Sequence, residues 1–465
     1  MRQLENVDDT LVSSYFSSKD VVLEKFSSDL SSENPFWDSD RSVASLSDLC
    51  IKMLVRCFSR KPIVSHGLSG HDKQLLMSQL GVTEDLVTCY HWLEDGLYWR
   101  RRCEALYPGS DVSQHGLSWK RMCIEQTIKT SMEKFQPGKS DMADLKQLCE
   151  AVGKIVEQLQ LAQLLSPTIM VPAGHGLTGK PDTVVSSRSS TPLSGVSRAT
   201  TPESGPKLPD EIDMLTPANH LDFSMILPLF PNLDKLILCF QTKRCGVDFR
   251  WSMFGLTEKD ADNIANGISH CHKLSQLSIR NSKLTDTLLY DVMGGMDKLG
   301  NITTLHFPNN VLTDECIDVF TRAVGNKKIK NLNLSNNKIA NEGIKNLAIF
   351  IANGKSSLEI LNLSLNLMED DGAVTLLKAI SLDKLILDLN ISSNRLSVDS
   401  SGAVRDLLKL NRQITKLDLS CNNLTLDGGN MILEGLKYNT SIKYLDVRCF
   451  CLHFKLFDRY YKFLD

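Results

Sequence analysis

From residue 274 to residue 452 the apolar positions fall into one recurring phrase: apolar-x-x-Leu-x-Leu-x-x-Asn-x-apolar. It reads Ile302…Leu305…Phe307…Asn310…Leu312, then Ile329…Leu332…Leu334…Asn337…Ile339. Further copies are centred on Asn366, Asn394 and Asn422. Two flanking copies keep the apolar pattern but carry Ser282 or Phe450 in place of the Asn. The equivalent positions step by 28, 27, 29, 28, 28 and 28 residues. A period held over that many copies predicts a repeat array. Between the phrases, apolar residues such as Ile344, Leu347, Ala348 and Ile351 recur at helical spacing, so each unit predicts a short strand followed by a helix.

This is the pattern of a long leucine-rich repeat of the ribonuclease-inhibitor-like class. Leu-x-Leu alternation buries one face of a strand. Beyond the strand the backbone turns with its polar groups unpaired, and an Asn side chain, both donor and acceptor, can satisfy them. Asn310, Asn337, Asn366, Asn394 and Asn422 form this predicted ladder. Stacked strands need about 4.8 Å each and helices about 10 Å, so the predicted fold is an α/β horseshoe with a parallel sheet on its concave side. The repeat domain is placed at 212–452. An earlier copy at Leu233…Leu236…Leu238 has Gln241 at the Asn position and is separated from the next by an insert near 243–255. Phe249, Trp251 and Phe254 in that insert suggest a cap over the open end of the array; the plainer reading is a surface loop.

The strand positions between the leucines face the concave side. One column reads Ser278, His306, Asn333, Asn362, Asn390, Asp418, Asp446; the next begins with Arg280, runs through serines and ends at Arg448. This small, polar surface, acidic toward its C-terminal end, is either a groove for a polar or basic partner segment or simply solvated.

The first half has another texture. Residues 1–40 hold nine Asp/Glu against three Lys/Arg and read as a disordered acidic tail. Residues 41–137 predict a helical domain in which Trp92, Trp99 and Trp119 sit beside basic residues. Such tryptophans more often pack a small core than stack on bases. Leu145, Leu148, Val152, Ile155, Leu159 and Ala162 step 3, 4, 3, 4, 3, which predicts an amphipathic helix over 141–166 with a seam for a partner helix or for its own domain. In 171–209, 23 of 39 residues are Ser, Thr, Pro or Gly, a linker composition. It holds two Arg-x-x-Thr-Pro units, at Thr191 and Thr201, which are candidate phosphorylation sites. The layout reads as two binding modules on a tether, which gain from effective concentration.

A net charge of −3 over 465 residues gives no global basic field for nucleic acid. No secretory leader is expected from the first residues, and no apolar run approaches the ~20 residues that span a bilayer. The thirteen cysteines are expected to be reduced thiols. "SHCH" at 269–272 and "HGLSGH" at 66–71 lack the second ligand pair of a metal site, and no nucleotide-binding or nucleophile motif is present, so no metal, cofactor or catalytic residue is expected.

The stretches "VDFRWSMFGLTEKDADNIANGISHCHKLSQLSIRNSKLTD" and "LSCNNLTLDGGNMILEGLKYNTSIKYLDVR", with "YWRRRCEALYP…SWKRMCIEQTI" upstream, resemble the dynein regulatory complex subunit 5 family, also called T-complex-associated testis-expressed protein 1. The resemblance runs over about 41–450 and departs after Arg448, leaving 453–465 as a divergent tail. It implies a non-enzymatic axonemal scaffold of the nexin–dynein regulatory complex, in the cytoskeleton of motile cilia and flagella. Other subunits would be its partners, through the 145–162 helix and the concave face, with doublet microtubules contacted indirectly. Two other readings stay open. "LSDLCIKML" and the Trp rhythm are also similar to F-box or elongin-A modules, which would imply a ubiquitin-ligase substrate receptor. The Ran GTPase-activating protein uses a similar repeat, which would imply a GTPase activator, although no catalytic arginine stands out.

Overall fold

The computed structural model describes residues 45–60, 62, 68–165, 220–243, 255–324 and 327–448. The acidic tail, the 171–209 linker with Thr191 and Thr201, the aromatic trio Phe249, Trp251 and Phe254, and the 453–465 tail lie outside the described residues.

Within the repeats, strands β2 (Lys235–Leu238), β3 (Gln276–Ile279), β4 (Thr304–His306) and β5 (Asn331–Asn333) are followed by β6 (Ile360–Asn362), β7 (Asp388–Asn390), β8 (Lys416–Asp418) and β9 (Tyr444–Asp446). All are parallel and neighbours pair in chain order, with the leucines Leu236, Leu277, Leu305, Leu332, Leu361, Leu389, Leu417 and Leu445 in one register. Those from Leu236 to Leu417 are wholly buried, because the alternation turns them all to the helical layer. Among the described residues eight helices build that layer: the short α7 (Phe223–Ile226), then α8 (Glu258–Ile268), α9 (Asp286–Gly294), α10 (Glu315–Val324), α11 (Asn341–Ala352), α12 (Asp370–Leu382), α13 (Ser401–Leu410) and α14 (Thr425–Leu436). Each turns one apolar stripe inward; in α11 it is Ile344, Leu347, Ala348 and Ile351. The fold is a leucine-rich-repeat α/β solenoid. β9 forms and pairs with β8, so the last repeat keeps its strand although Phe450 takes the place of the Asn.

Upstream, among the described residues, six helices make a helical module: α1 (Leu46–Cys57), α2 (Gly70–Gln79), α3 (Leu86–Trp92), α4 (Leu97–Leu106), α5 (Trp119–Lys134) and α6 (Met142–Val152). Trp99 and Tyr98 are wholly buried, Trp119 is half-buried and Trp92 is half-exposed. Trp99 is thus core, Trp119 packs against that core, and Trp92 does neither. Lys120 Nζ lies 4.8 Å from the Tyr90 ring and 5.8 Å from the Trp99 ring, and donates to the Tyr90 and Leu93 carbonyls at 2.7 and 2.8 Å.

The predicted 141–166 helix is not one helix. α6 stops at Val152, a 3-10 turn covers Gly153–Ile155, and Gln158–Gln160 form strand β1. The seam is therefore cut: Leu145 and Val152 pack on the helix, while Leu159 lies in a strand paired with Leu236 of β2. α6 meets the repeat domain at Gly153, where a Cβ would lie 2.4 Å from the Leu229 carbonyl oxygen, and from Val156 the backbone is extended. Past it, Val156-x-x-Leu159-x-Leu161 is the repeat phrase itself, and Val156, Leu159, Leu161 and Leu164 are all buried. β1 is the first strand of the sheet. The two predicted modules accordingly share one sheet.

Candidate functional site

The Asn ladder is built from donors and acceptors of neighbouring repeats. Asn366 Oδ1 accepts from the Ile339 N–H at 3.2 Å, and its Nδ2 donates to the carbonyls of Leu334 and Leu363, both at 3.0 Å, and of Ser364. Asn337 bonds Leu312, Phe307 and Leu334 in the same way, and Asn422 bonds Leu396, Ile391 and Leu419. Asn310 and Asn394 repeat the arrangement. Ser282 keeps part of it, accepting from Phe240 N–H at 3.0 Å and donating to the Arg280 carbonyl at 2.7 Å. The residue before each ladder Asn adopts a left-handed conformation, including Leu365 and Cys421 with φ of 57° and 55°. These residues hold the scaffold and leave no polar group for a ligand.

The concave column behaves differently from its sequence reading. Ser278 is buried at 4% exposure, flanked in the sheet by Ile237 and His306. Asn333, Asn362 and Asn390 each accept, through Oδ1, the N–H two residues on, at 2.9, 3.0 and 3.0 Å, and so fasten the turn that ends their own strand. Asp418 and Asp446 do the same for Ser420 and Arg448. Asp418 Oδ2 also accepts from Asn390 Nδ2 at 3.1 Å. Asp446, 5% exposed, is held by the Arg448 guanidinium at 2.6 Å and by Tyr444 Oη at 3.1 Å; the Arg448 hydrogen bonds keep its carboxyl below the usual range. Asp446 is therefore already paired with Arg448, whereas Asp418 is held by hydrogen bonds to Asn390 and Ser420 and has no ion pair among the described residues. Arg280 remains exposed, and His306 is half-buried with its ring Nε2 unpartnered and its pKa lowered by burial.

The register adds a column that the sequence reading missed. Ile360, Asp388, Lys416 and Tyr444 lie one residue before the strand leucines, on the same face. Lys416 Nζ pairs with Asp388 at 3.0 Å and lies 5.9 Å from the Tyr444 ring; Ile360 and Tyr444 are 39% and 47% exposed. Here the face offers an aromatic and an aliphatic side chain, the anchor types that protein interfaces use. The signal was in the sequence: these residues stand at a fixed offset from each leucine.

A second polar cluster joins the helical module to the sheet. Glu125 on α5, 3% exposed, accepts the backbone N–H groups of Glu157 and Gln158 at 2.8 and 3.0 Å through Oε1, and bonds His115 Nδ1 through Oε2. Gln158 Nε2 donates to the Gln114 carbonyl at 2.7 Å. Further on, Glu133 accepts the Ala162 N–H at 2.7 Å. These contacts fix β1 and are architectural. Among the described residues no group of three His, Cys, Asp or Glu side chains is placed to hold a metal, and no helix is long and apolar enough to cross a membrane.

Comparison with known proteins follows this geometry. The Leucine Rich repeat family matches residues 325–348, 354–377 and 410–433. The chain is similar to Dynein regulatory complex subunit 5 of Macaca fascicularis, 28% identical over 255 residues, which is 55% of this chain and 45% of that protein. The Mus musculus protein of the same name is 29% identical over 258 residues, 55% of this chain and 46% of its own. That of Chlamydomonas reinhardtii is 25% identical over 246 residues, 52% and 49%. The chain thus spans just under half the length of the curated relatives it matches.

Proposed function

We propose that this protein is a non-enzymatic subunit of a dynein regulatory complex, an axonemal scaffold that binds other subunits and helps control dynein-driven motility in cilia and flagella. The observation that carries this reading is its similarity to proteins named Dynein regulatory complex subunit 5 in animals and in a green alga. The architecture supports it. A shared sheet makes the helical module and the repeats one stiff body, which suits a part that transmits force between partners better than two tethered binders would. Nexin-link subunits are its partners in this reading, and doublet microtubules are contacted only through them.

The test is fractionation of detergent-stripped cilia or flagella. A scaffold subunit stays with the axoneme, leaves in high salt and co-elutes with other regulatory-complex subunits. Loss of the protein with the soluble fraction, together with a Skp-type or elongin adaptor, would replace this reading with that of a ubiquitin-ligase receptor.

A further inference from the structure

The horseshoe has two edges of opposite charge. Where strands hand over to helices, carboxylates gather at the helix N-termini, as the helix dipole favours. Three of those carboxylates are engaged within the fold. Asp286 accepts the Thr313 N–H at 3.0 Å and its hydroxyl at 2.7 Å; Asp314 accepts the Ala340 N–H at 2.6 Å; Asp370 accepts the Ser397 N–H at 2.8 Å and its hydroxyl at 2.6 Å. This edge is a second inter-repeat ladder.

At the other edge, where helices hand back to strands, successive turns carry exposed lysines: Lys298, Lys328, Lys355 and Lys384. These four make no hydrogen bond or ion pair among the described residues, whereas neighbouring Lys327 caps the Asp297 and Leu299 carbonyls and Lys330 pairs with Glu359 at 2.7 Å. Two open clefts of about 730 Å³ each run between the turns, and they share Arg322, Lys327 and Lys328, so they form one groove. Its walls hold six cations against Asp297 and Asp318, on a chain whose net charge is −3. The next two turns of the same edge change character: Leu382 is 79% exposed, Leu410 61%, and Leu385 and Leu387 are also open.

We propose that this edge docks an acidic segment of a partner protein that also carries aliphatic side chains, with its carboxylates along Lys298, Lys328 and Lys355 and its apolar residues over Leu382 and Leu410. Free cations in register with a groove supply charge complementarity, and adjoining exposed leucines supply the apolar anchor that a uniformly charged polyanion would leave unused. On the acidic edge Asp286, Asp314 and Asp370 are instead spent on Thr313, Ala340 and Ser397. The inference deepens the scaffold reading by naming the chemistry of one partner. It is measured on purified full chain, so its failure leaves the axonemal reading standing, and loss of that reading leaves the peptide measurement intact.

The experiment is fluorescence anisotropy with a fluorescein-labelled peptide, glutamate-rich in its first half and leucine-containing in its second. The variant K298E/K328E/K355E should weaken binding by about tenfold or more, and the control K52E/K139E/K259E, at exposed lysines elsewhere, by less than about twofold. L382S/L410S should weaken binding of this peptide and not of one with serines in place of its leucines. Thermal melting of every variant at the parent temperature establishes that folding is intact. Equal losses in the two lysine triples, indifference to the leucine changes, or equally tight binding of oligothymidylate would each overturn the proposal.

Discussion

Leu159 and Leu236 lie side by side in the sheet, in register, although the whole 166–219 segment separates their strands. The pairing makes β1 the first rung of the array. It also makes the helical module the terminal cap of the horseshoe, burying the edge of β2 that would otherwise stand open. Leu161 N–H donates to the Ile237 carbonyl at 2.8 Å and Leu164 N–H to the Gln241 carbonyl at 3.2 Å, so the junction continues past the strand.

A cap coupled in this way should melt with the repeats next to it. Glu125→Ala removes the acceptor for two backbone donors, those of Glu157 and Gln158, and leaves His115 without its carboxylate. A loss of roughly 3 kcal/mol is expected, since buried polar groups are left unpaired. Hydrogen exchange should then show faster opening at Leu159 and Leu161 and also across β2. If β2 keeps its parent protection while only the helices open, the coupling is absent.

The two kinds of Asn in each repeat should separate cleanly. Asn366→Ala orphans the Ile339 N–H and removes a donor from the Leu334 and Leu363 carbonyls, in a buried setting. It should cost roughly 3 kcal/mol. Asn362→Ala removes only the 3.0 Å bond to the Ser364 N–H and should cost less than about 1 kcal/mol. Urea unfolding midpoints decide the matter, and equal costs would mean that the concave column carries as much structure as the ladder.

Stabilisation should be available at Leu365. Its φ of 57° is one that an L-residue with a bulky side chain adopts at a cost, and its side chain is 52% exposed. At the equivalent place in the preceding repeat, Asn336 donates from Nδ2 to Asn309 Oδ1 at 2.9 Å. Leu365→Asn should therefore raise stability by about 0.5–1 kcal/mol, since Asn tolerates the left-handed region and extends that chain of amides. A lowered melting temperature would show that Leu365 has a packing role outweighing the strain.

Periodicity made the repeats legible because each side chain in the phrase has a fixed job: leucines for the buried face, Asn for the turn. The same phrase at Val156…Leu159…Leu161 was obscured. Leu164 stands where the Asn would be, and Leu159 also satisfies a helical seam running from Leu145. Spacing alone cannot separate the two when a helix leads directly into a strand; what decides it is the pairing of β1 with β2, a tertiary fact. The polar column of the concave face was only partly legible for a similar reason. A column of Asn and Asp reads as free polarity, while each one spends its oxygen on the N–H two residues away, or, at Asp446, on Arg448.

Thiol chemistry offers a test of the packing as a whole. Cys50, Cys57 and Cys421 are exposed, while Cys149 and Cys271 are wholly buried, one in the helical module and one under the repeats. Burial disfavours the thiolate and pushes both buried thiols up to about 12. An alkylating reagent at mildly alkaline pH should modify the exposed set in the native protein and reach Cys149 and Cys271 only on unfolding, read by peptide mass mapping. The sign of the linkage follows. In the unfolded chain these thiols ionise near 8.5, so their contribution to stability is complete below that pH and declines between it and about 12. Cys149→Ala and Cys271→Ala should both flatten the alkaline decline of the urea midpoint. Native-state labelling of Cys149 at the rate of Cys50 would mean that α6 does not sit against the sheet as β1 requires.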